Sequence, residues 1–320
     1  MNRGVKFVFE REIHPDDAAD HLNGQISRNS SPLVSINNLC IKKNPINLAL
    51  VQSFFGQDKS HVESCTLAIK LMSLSNPMPR EWVFVEAQKS EADAKFKWVV
   101  KYGIKYIFVR IQNNRQDYFI KEQLWNIGAA NTKSPNLVFL DADVAYCQTN
   151  WIELVYQMFW DKCELFQPHA WSWRANEDFM DKNANSANLM ESFAHRRSLD
   201  IPIGTFGGHT GYDIAISRKL YDKIRGFHSL RGAGGDFLMW SLLCKRSGSM
   251  DGFIEYHPLK ELILKKFPQE LGVDIGCTGL ICFHNAHGKY ADRSKGYVQS
   301  NDMPVVTNNY GKDKIEEMPE

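Results

Sequence analysis

Apolar residues recur along the first half of the chain in short blocks separated by stretches of helical spacing. The blocks are Leu48-Ala49-Leu50-Val51, Trp82-Val83-Phe84-Val85, Tyr106-Ile107-Phe108-Val109 and Leu137-Val138-Phe139-Leu140. Continuous apolar runs this short, rich in β-branched and aromatic residues, predict strands covered on both faces. Between them, His61 to Leu74, Ala92 to Tyr102 and Tyr118 to Asn131 read as helices. Strands alternating with helices predict βαβ units, a mostly parallel sheet and an α/β fold. Further along, Phe237 to Cys244 reads as a helix and Leu280 to Phe283 as a strand.

This pattern also divides the chain. Residues 1–45 are mixed and polar around the turn-rich Asn29-Ser30-Ser31-Pro32, and are expected to form an N-terminal extension. A main domain over 46–300 follows, with a regular first half (46–145) and a second half (146–300) richer in loops, Trp, Gly and His. Residues 301–320 read as a polar tail.

The fourth apolar block ends abruptly in Asp141-Ala142-Asp143. Residues i and i+2 of an extended chain point the same way, so both carboxylates can meet one ion, directly or through water. They stand where a strand leaves the sheet, which is where open α/β sheets bind ligands. Such a pair suits a hard divalent cation and, through it, a diphosphate. The plain structural alternative is one capping Asp and one solvated Asp.

Composition narrows the picture only slightly. The 38 Lys+Arg balance 37 Asp+Glu, so no bulk charge draws the chain to nucleic acid or a membrane surface. No apolar run reaches the ~18 residues of a membrane span, and Met1 to Asp17 lacks the apolar core of a signal peptide. The 7 cysteines show no C-x-x-C spacing, which fits reduced thiols and a cytoplasmic setting.

Other groups could carry chemistry, and each has a structural reading beside it. Lys121, Asn126 and Gly128 share the helix before the acidic pair, where an ordinary amphipathic helix near a Gly C-cap is the better reading of the motif by itself. Glu86 follows the second strand and could accept hydrogen bonds from a base or ribose. Gly207-Gly208-His209-Thr210-Gly211 and Gly232-Ala233-Gly234-Gly235-Asp236 allow close backbone approach. Asp236 is an N-cap on one reading and a general base at a glycine-lined floor on the other. His284 and His287 follow the last apolar strand, and two imidazoles at i, i+3 could join the acids around a metal. Lys289, Arg293, Lys295 and Tyr297 form either a solvated loop or a lid over a leaving diphosphate. Trp171 and Trp173, near His195, Arg196 and Arg197, are core residues or platforms for a sugar ring.

In this order the motifs resemble a family. Lys121-x4-Asn126-x-Gly128 followed by Val138-Phe139-Leu140-Asp141-Ala142-Asp143 resembles the nucleotide-sugar half of GT-A glycosyltransferases of family 2 type. Gly207-Gly208, Arg225-Gly226-Phe227 and Gly234-Gly235-Asp236 are similar to the acceptor half shared by galactosyltransferases and polypeptide N-acetylgalactosaminyltransferases. The resemblance spans roughly residues 46–297. It implies a GT-A, Rossmann-like sheet flanked by helices, and transfer of a sugar from a nucleoside-diphosphate donor, a UDP-sugar by expectation, to an acceptor hydroxyl with inversion.

The resemblance also implies roles. Asp143 would coordinate Mn²⁺ or Mg²⁺, and Asp141 would contact the ribose or the metal. Glu86 matches the acid that binds the nucleotide base, with Lys121, Asn126, Arg293 and Tyr297 also on the donor. Asp236 would be the catalytic base, and Gly208, His209, Gly235, Trp171 and Trp173 would face the acceptor. His287 matches a metal-binding His, and His284 stands where galactosyltransferases carry a Met ligand. Three positions depart from the pattern: Arg225 replaces an Asn, Gly235 precedes one acid rather than two, and Glu86 stands where Asp is usual. The acceptor is left open among a glycan, a protein, a small molecule and modified DNA.

Two other classes compete. Phe139-Leu140-Asp141-Ala142-Asp143-Val144 also resembles the first motif of haloacid-dehalogenase-type phosphohydrolases, with Asp141 as nucleophile and Asp143 as acid/base. That motif normally opens its domain, whereas about three βα units precede it here. A non-catalytic carbohydrate- or nucleic-acid-binding module is the remaining reading.

Overall fold

In the computed structural model, residues 43–56, 58–111, 121–146, 148–175, 189–198, 208–227, 240 and 275–285 are described. Four apolar blocks become the strands β1 (Ile46–Phe55), β2 (Pro79–Gln88), β3 (Lys105–Arg110) and β4 (Asn136–Asp141). They run parallel, with β1 between β4 and β2 and β3 outside β2. The expected α/β fold with a mostly parallel sheet is therefore present.

Helix α1 (Lys59–Met72) starts where Asp58 accepts a hydrogen bond from the His61 N–H at 3.0 Å. Its buried residues Cys65, Ala68, Ile69 and Met72 recur every three or four positions and turn one face to the core. Helix α2 (Lys121–Ala130) precedes β4. Gly128 lies inside this helix rather than capping it. A Cβ at Gly128 would stand 2.4 Å from Val51 Cγ1, so the missing side chain lets α2 lie directly on β1.

The helix expected over Ala92 to Tyr102 is instead two short 3-10 segments, Glu91–Asp93 and Lys97–Tyr102. The backbone N–H groups of Lys95 and Phe96 between them donate to the Glu86 carboxylate, at 2.7 and 2.9 Å. Those donors are bent toward an acid instead of continuing a helical ladder, and Gly103 closes the second segment at φ +77°.

Besides β11, expected from the apolar run Leu280 to Phe283, the second half holds regular structure that the sequence pattern did not show. Strand β5 (Val144–Tyr146) follows β4 after one turn, and helix α3 (Trp151–Trp160) leads to β6 (Leu165–Gln167). Then come β7 (Trp171–Ala175), β8 (Leu189–Glu191), α4 (Phe193–Ser198), β9 (Asp213–Ser217), α5 (Arg218–Lys223), β10 (Ile275–Cys277) and β11 (Ile281–Asn285). Strand β9 runs antiparallel between β4 and β6, completing a seven-stranded sheet of order β10-β6-β9-β4-β1-β2-β3. A second sheet has the order β5-β11-β7-β8. Trp125, Phe139, Tyr221 and Phe227 pack ring against ring beneath β4, with centroids 4.6 to 5.9 Å apart. Among the described residues no helix is long and apolar enough to cross a membrane.

Candidate functional site

The end of β4, the first turns of α1 and α2 and strand β11 of the second sheet supply the side chains of the site. Strand β4 delivers Asp141 as its last residue, and the chain then turns at Ala142-Asp143 to enter the second sheet at β5. The expectation that both acids share an extended backbone is thus corrected. Asp141 ends a strand while Asp143 sits in the turn, and the two carboxylates take different partners.

Asp143 is buried and lies between two imidazoles. His284 Nε2 stands 3.1 Å from Asp143 Oδ2, and His61 Nε2 stands 3.6 Å from the same oxygen. Strand β11 brings His284 by pairing it with Val144, one residue after Asp143. His61 comes from the first turn of α1, just past the end of β1. Asp141 instead meets Lys121, whose Nζ is 3.1 Å from Oδ1 and lies 4.8 Å from the centre of the Trp125 ring. Lys121 is itself buried, so its charge answers an acid in a poorly solvated place. The field of the acids reaches inward. Burial first, then the charges of Asp143 and Asp141, push the Cys65 thiol well above its ordinary range.

Aromatic contacts back the His284 ring. Tyr212 stacks on His284 with centroids 4.6 Å apart and, on the other side, on His209 at 3.9 Å. Tyr212 holds φ +78°, a left-handed conformation unfavourable for a bulky residue, and strain of this kind gathers at functional sites. Gly208 (φ +103°) lets the same loop press on the start of α4, since a Cβ there would meet Phe193 Cα at 2.6 Å.

The other expected site residues fall into two groups. Glu86 is fully buried, and its carboxylate accepts from the Lys95 and Phe96 N–H groups, the Tyr106 hydroxyl and the Gln88 amide. It therefore organises the connection after β2. Asn126 accepts from the Tyr221 hydroxyl and the Phe227 N–H and donates to the Phe227 carbonyl, tying α2 to the segment after α5. Trp171 and Trp173 are buried in the second sheet, where Trp171 packs on His195 and Trp173 on Phe283. These four side chains are held by the fold's own partners. Asp236, Gly235, His287, Arg293 and Tyr297 lie outside the described residues.

His61 and Tyr212 were missed in the sequence. His61 could have been found, because it follows the end of β1, next to the β4 edge already under suspicion. Tyr212 carries no local signal, since its role depends on the loop before β9 meeting His284 of β11.

A carboxylate oxygen and two imidazole nitrogens around a buried acid form a donor set that suits a divalent transition ion such as Mn²⁺. The residues present fit that group.

No protein-family model and no curated protein sequence matches this chain. Among solved structures, the chain is similar to glucosyl-3-phosphoglycerate synthase from Mycobacterium tuberculosis in complex with Mn²⁺, UDP-glucose and phosphoglyceric acid. The identity there is 12%, over 78% of this chain and 75% of that one, with a TM-score of 0.44. It is also similar to residues 1–349 of TarS from S. aureus, at 9% identity over 75% of this chain and 60% of that one, with a TM-score of 0.44.

Proposed function

We propose that this chain is a metal-dependent glycosyltransferase of GT-A type, moving a sugar from a nucleoside-diphosphate donor, by preference a UDP-sugar, to an acceptor hydroxyl. The observation that carries the proposal is the convergence of His284 and His61 on one oxygen of Asp143, at the edge where β1 and β4 end. Ligands of open α/β sheets bind at that edge.

In this reading Asp143 and His284 hold a divalent cation, with His61 beside them. Once bound, the ion neutralises charge on the departing diphosphate. Lys121 orients Asp141, and the pair faces the ribose or the same phosphates. The Tyr212 ring keeps the His284 plane fixed, so its nitrogen stays aimed at Asp143. Asp236 is assigned the role of base for the acceptor hydroxyl, on the resemblance of its glycine-rich motif. A hydroxyl that displaces the diphosphate in one in-line step inverts the sugar carbon.

The phosphohydrolase reading requires Asp143 to exchange a proton with substrate as an acid. Two imidazoles at 3.1 and 3.6 Å from one Asp143 oxygen instead make a cluster of ligand-type groups suited to a cation.

Thermal unfolding with a panel of nucleotide sugars, with and without Mn²⁺, tests the proposal. A UDP-sugar is expected to raise the melting temperature only when Mn²⁺ is present. Slow hydrolysis of that sugar nucleotide without acceptor would exclude a pure binding module. Release of phosphate from an aryl phosphate, with no response to any nucleotide sugar, would sink the assignment.

A further inference from the structure

A second group of ligand-type side chains lies where the chain crosses between the two sheets. His169 in the connection from β6 to β7, Asp213 at the start of β9 and Cys282 in β11 each offer one donor atom. These atoms all lie within 4.8 Å of one another. All three residues are 0% exposed. His169 Nδ1 is 2.7 Å from Asp213 Oδ1, and the Tyr146 hydroxyl donates to Asp213 Oδ2. Cys282 stands directly opposite Tyr146 in the β5–β11 ladder. His169 Nε2 is buried without a hydrogen-bond partner among the described residues.

A buried carboxylate is unfavourable unless positive charge answers it, and among the described residues Asp213 pairs with His169 and with no Lys or Arg. A divalent cation brings that charge, taking the Nδ1 lone pair of His169 in place of its hydrogen bond to Asp213. Thiolate, imidazole and carboxylate together suit a borderline ion such as Zn²⁺ rather than a hard ion such as Mg²⁺.

We infer that His169, Asp213 and Cys282 form a structural Zn²⁺ site, separate from the site at Asp143. On binding, the Cys282 thiol gives its proton to solvent and the sulfur bonds the ion. Tyr146 holds the second carboxylate oxygen and fixes its orientation, as outer partners of metal ligands do. The ion ties β9 of the main sheet to β11 of the second sheet. Each of these strands also supports the site at Asp143: Tyr212 immediately precedes Asp213, and His284 lies two residues beyond Cys282. Complete burial means that the ion is captured as the chain folds rather than exchanged afterwards. The inference stands on these residues alone and does not require the proposed transferase activity.

The test is metal analysis of the full chain after dialysis of the native protein against a chelator. About one equivalent of zinc per chain is expected to remain, as structural sites bind zinc tightly. It should survive Asp143→Asn and be lost in Cys282→Ser and His169→Gln. Protein produced with Co²⁺ in place of zinc should show a thiolate-to-cobalt charge-transfer band that Cys282→Ser removes. Where the variants fail to fold, the cobalt spectrum of the unmodified chain decides alone. A native chain that keeps no chelator-resistant metal, or lacks the thiolate band, overturns the inference and leaves a buried His–Asp pair. Full zinc retention in folded Cys282→Ser, or its loss in Asp143→Asn, overturns it equally.

Discussion

Asp143 owes its setting to a turn only two residues long. Had β4 continued straight, the acid would point along the sheet edge; instead, the chain swings toward the second sheet and sets the carboxylate against His284 and His61. If the proposed transferase function holds, replacing Asp143 with Ala lowers transfer by at least about 100-fold, or about 2.7 kcal/mol of transition-state stabilisation, measured as kcat/KM with UDP-sugar and Mn²⁺. His61→Ala should act more mildly, raising the Mn²⁺ concentration needed for half-maximal activity by about tenfold. An unchanged Mn²⁺ requirement would remove His61 from the site. Cysteines give a further residue-scale expectation. Burial, with smaller contributions from Cys163 and Glu191, pushes the Cys277 thiol up to about 12, and burial likewise raises Cys65. Thiolate is the reactive form, so both should resist alkylation near neutral pH and react only on unfolding, as mass spectrometry would show.

Among the elements, α2 shows how a small residue and a distant cation make a helix fit. Gly128 faces Val51 on β1, and Arg218, the first residue of α5, donates to the carbonyls of Ala129 and Thr132 at the helix end. The guanidinium thus adds positive charge to the carbonyl-rich C-terminal end of the helix. Helix propensity alone would favour Gly128→Ala by about 1 kcal/mol. The Cβ clash at 2.4 Å should reverse that sign. Overpacking of this kind costs about 1–3 kcal/mol, so a lower denaturation midpoint is expected. A stabilised variant would show that α2 can lift off β1. The same element carries Lys121, so a shift of the helix should also disturb Asp141.

The whole molecule is joined by acids that the fold surrounds with donors. Glu81, near the start of β2, binds the segment before β4. Burial pulls its carboxyl upward, but the Ser134 hydroxyl, the N–H groups of Lys133 and Ser134 and the Arg218 charge outweigh this and lower it below its ordinary 4.5. A depressed carboxyl contributes stability above its unfolded pKa and loses it as the pH falls through the folded value. Glu81→Gln should therefore destabilise the protein by a constant amount above about pH 4.5, with the gap closing at lower pH. Parallel pH titrations of the unfolding midpoint would check this, and a gap that persists in acid would contradict it.

The sequence by itself determined the four parallel strands, helix α1 and the acidic pair at the end of β4. These features depend on local apolar runs, helical periodicity and an abrupt change of polarity, all written in neighbouring residues. It also marked Lys121 and His284, which the fold brings to the two acids. Tertiary structure decided the rest. Strand β9 enters the main sheet antiparallel, and β11, legible as the apolar run Leu280 to Phe283, is joined in a second sheet by β5, β7 and β8, strands of three to five residues that the sequence pattern did not mark. The partners of Asn126 and Trp173 came from segments about a hundred residues away, Phe227 and Phe283, which local pattern cannot announce. His61 reached Asp143 only because β1 and β4 are neighbours in the sheet. Local pattern encodes which segments become strands and helices; which side chains meet at their ends depends on pairings between distant segments.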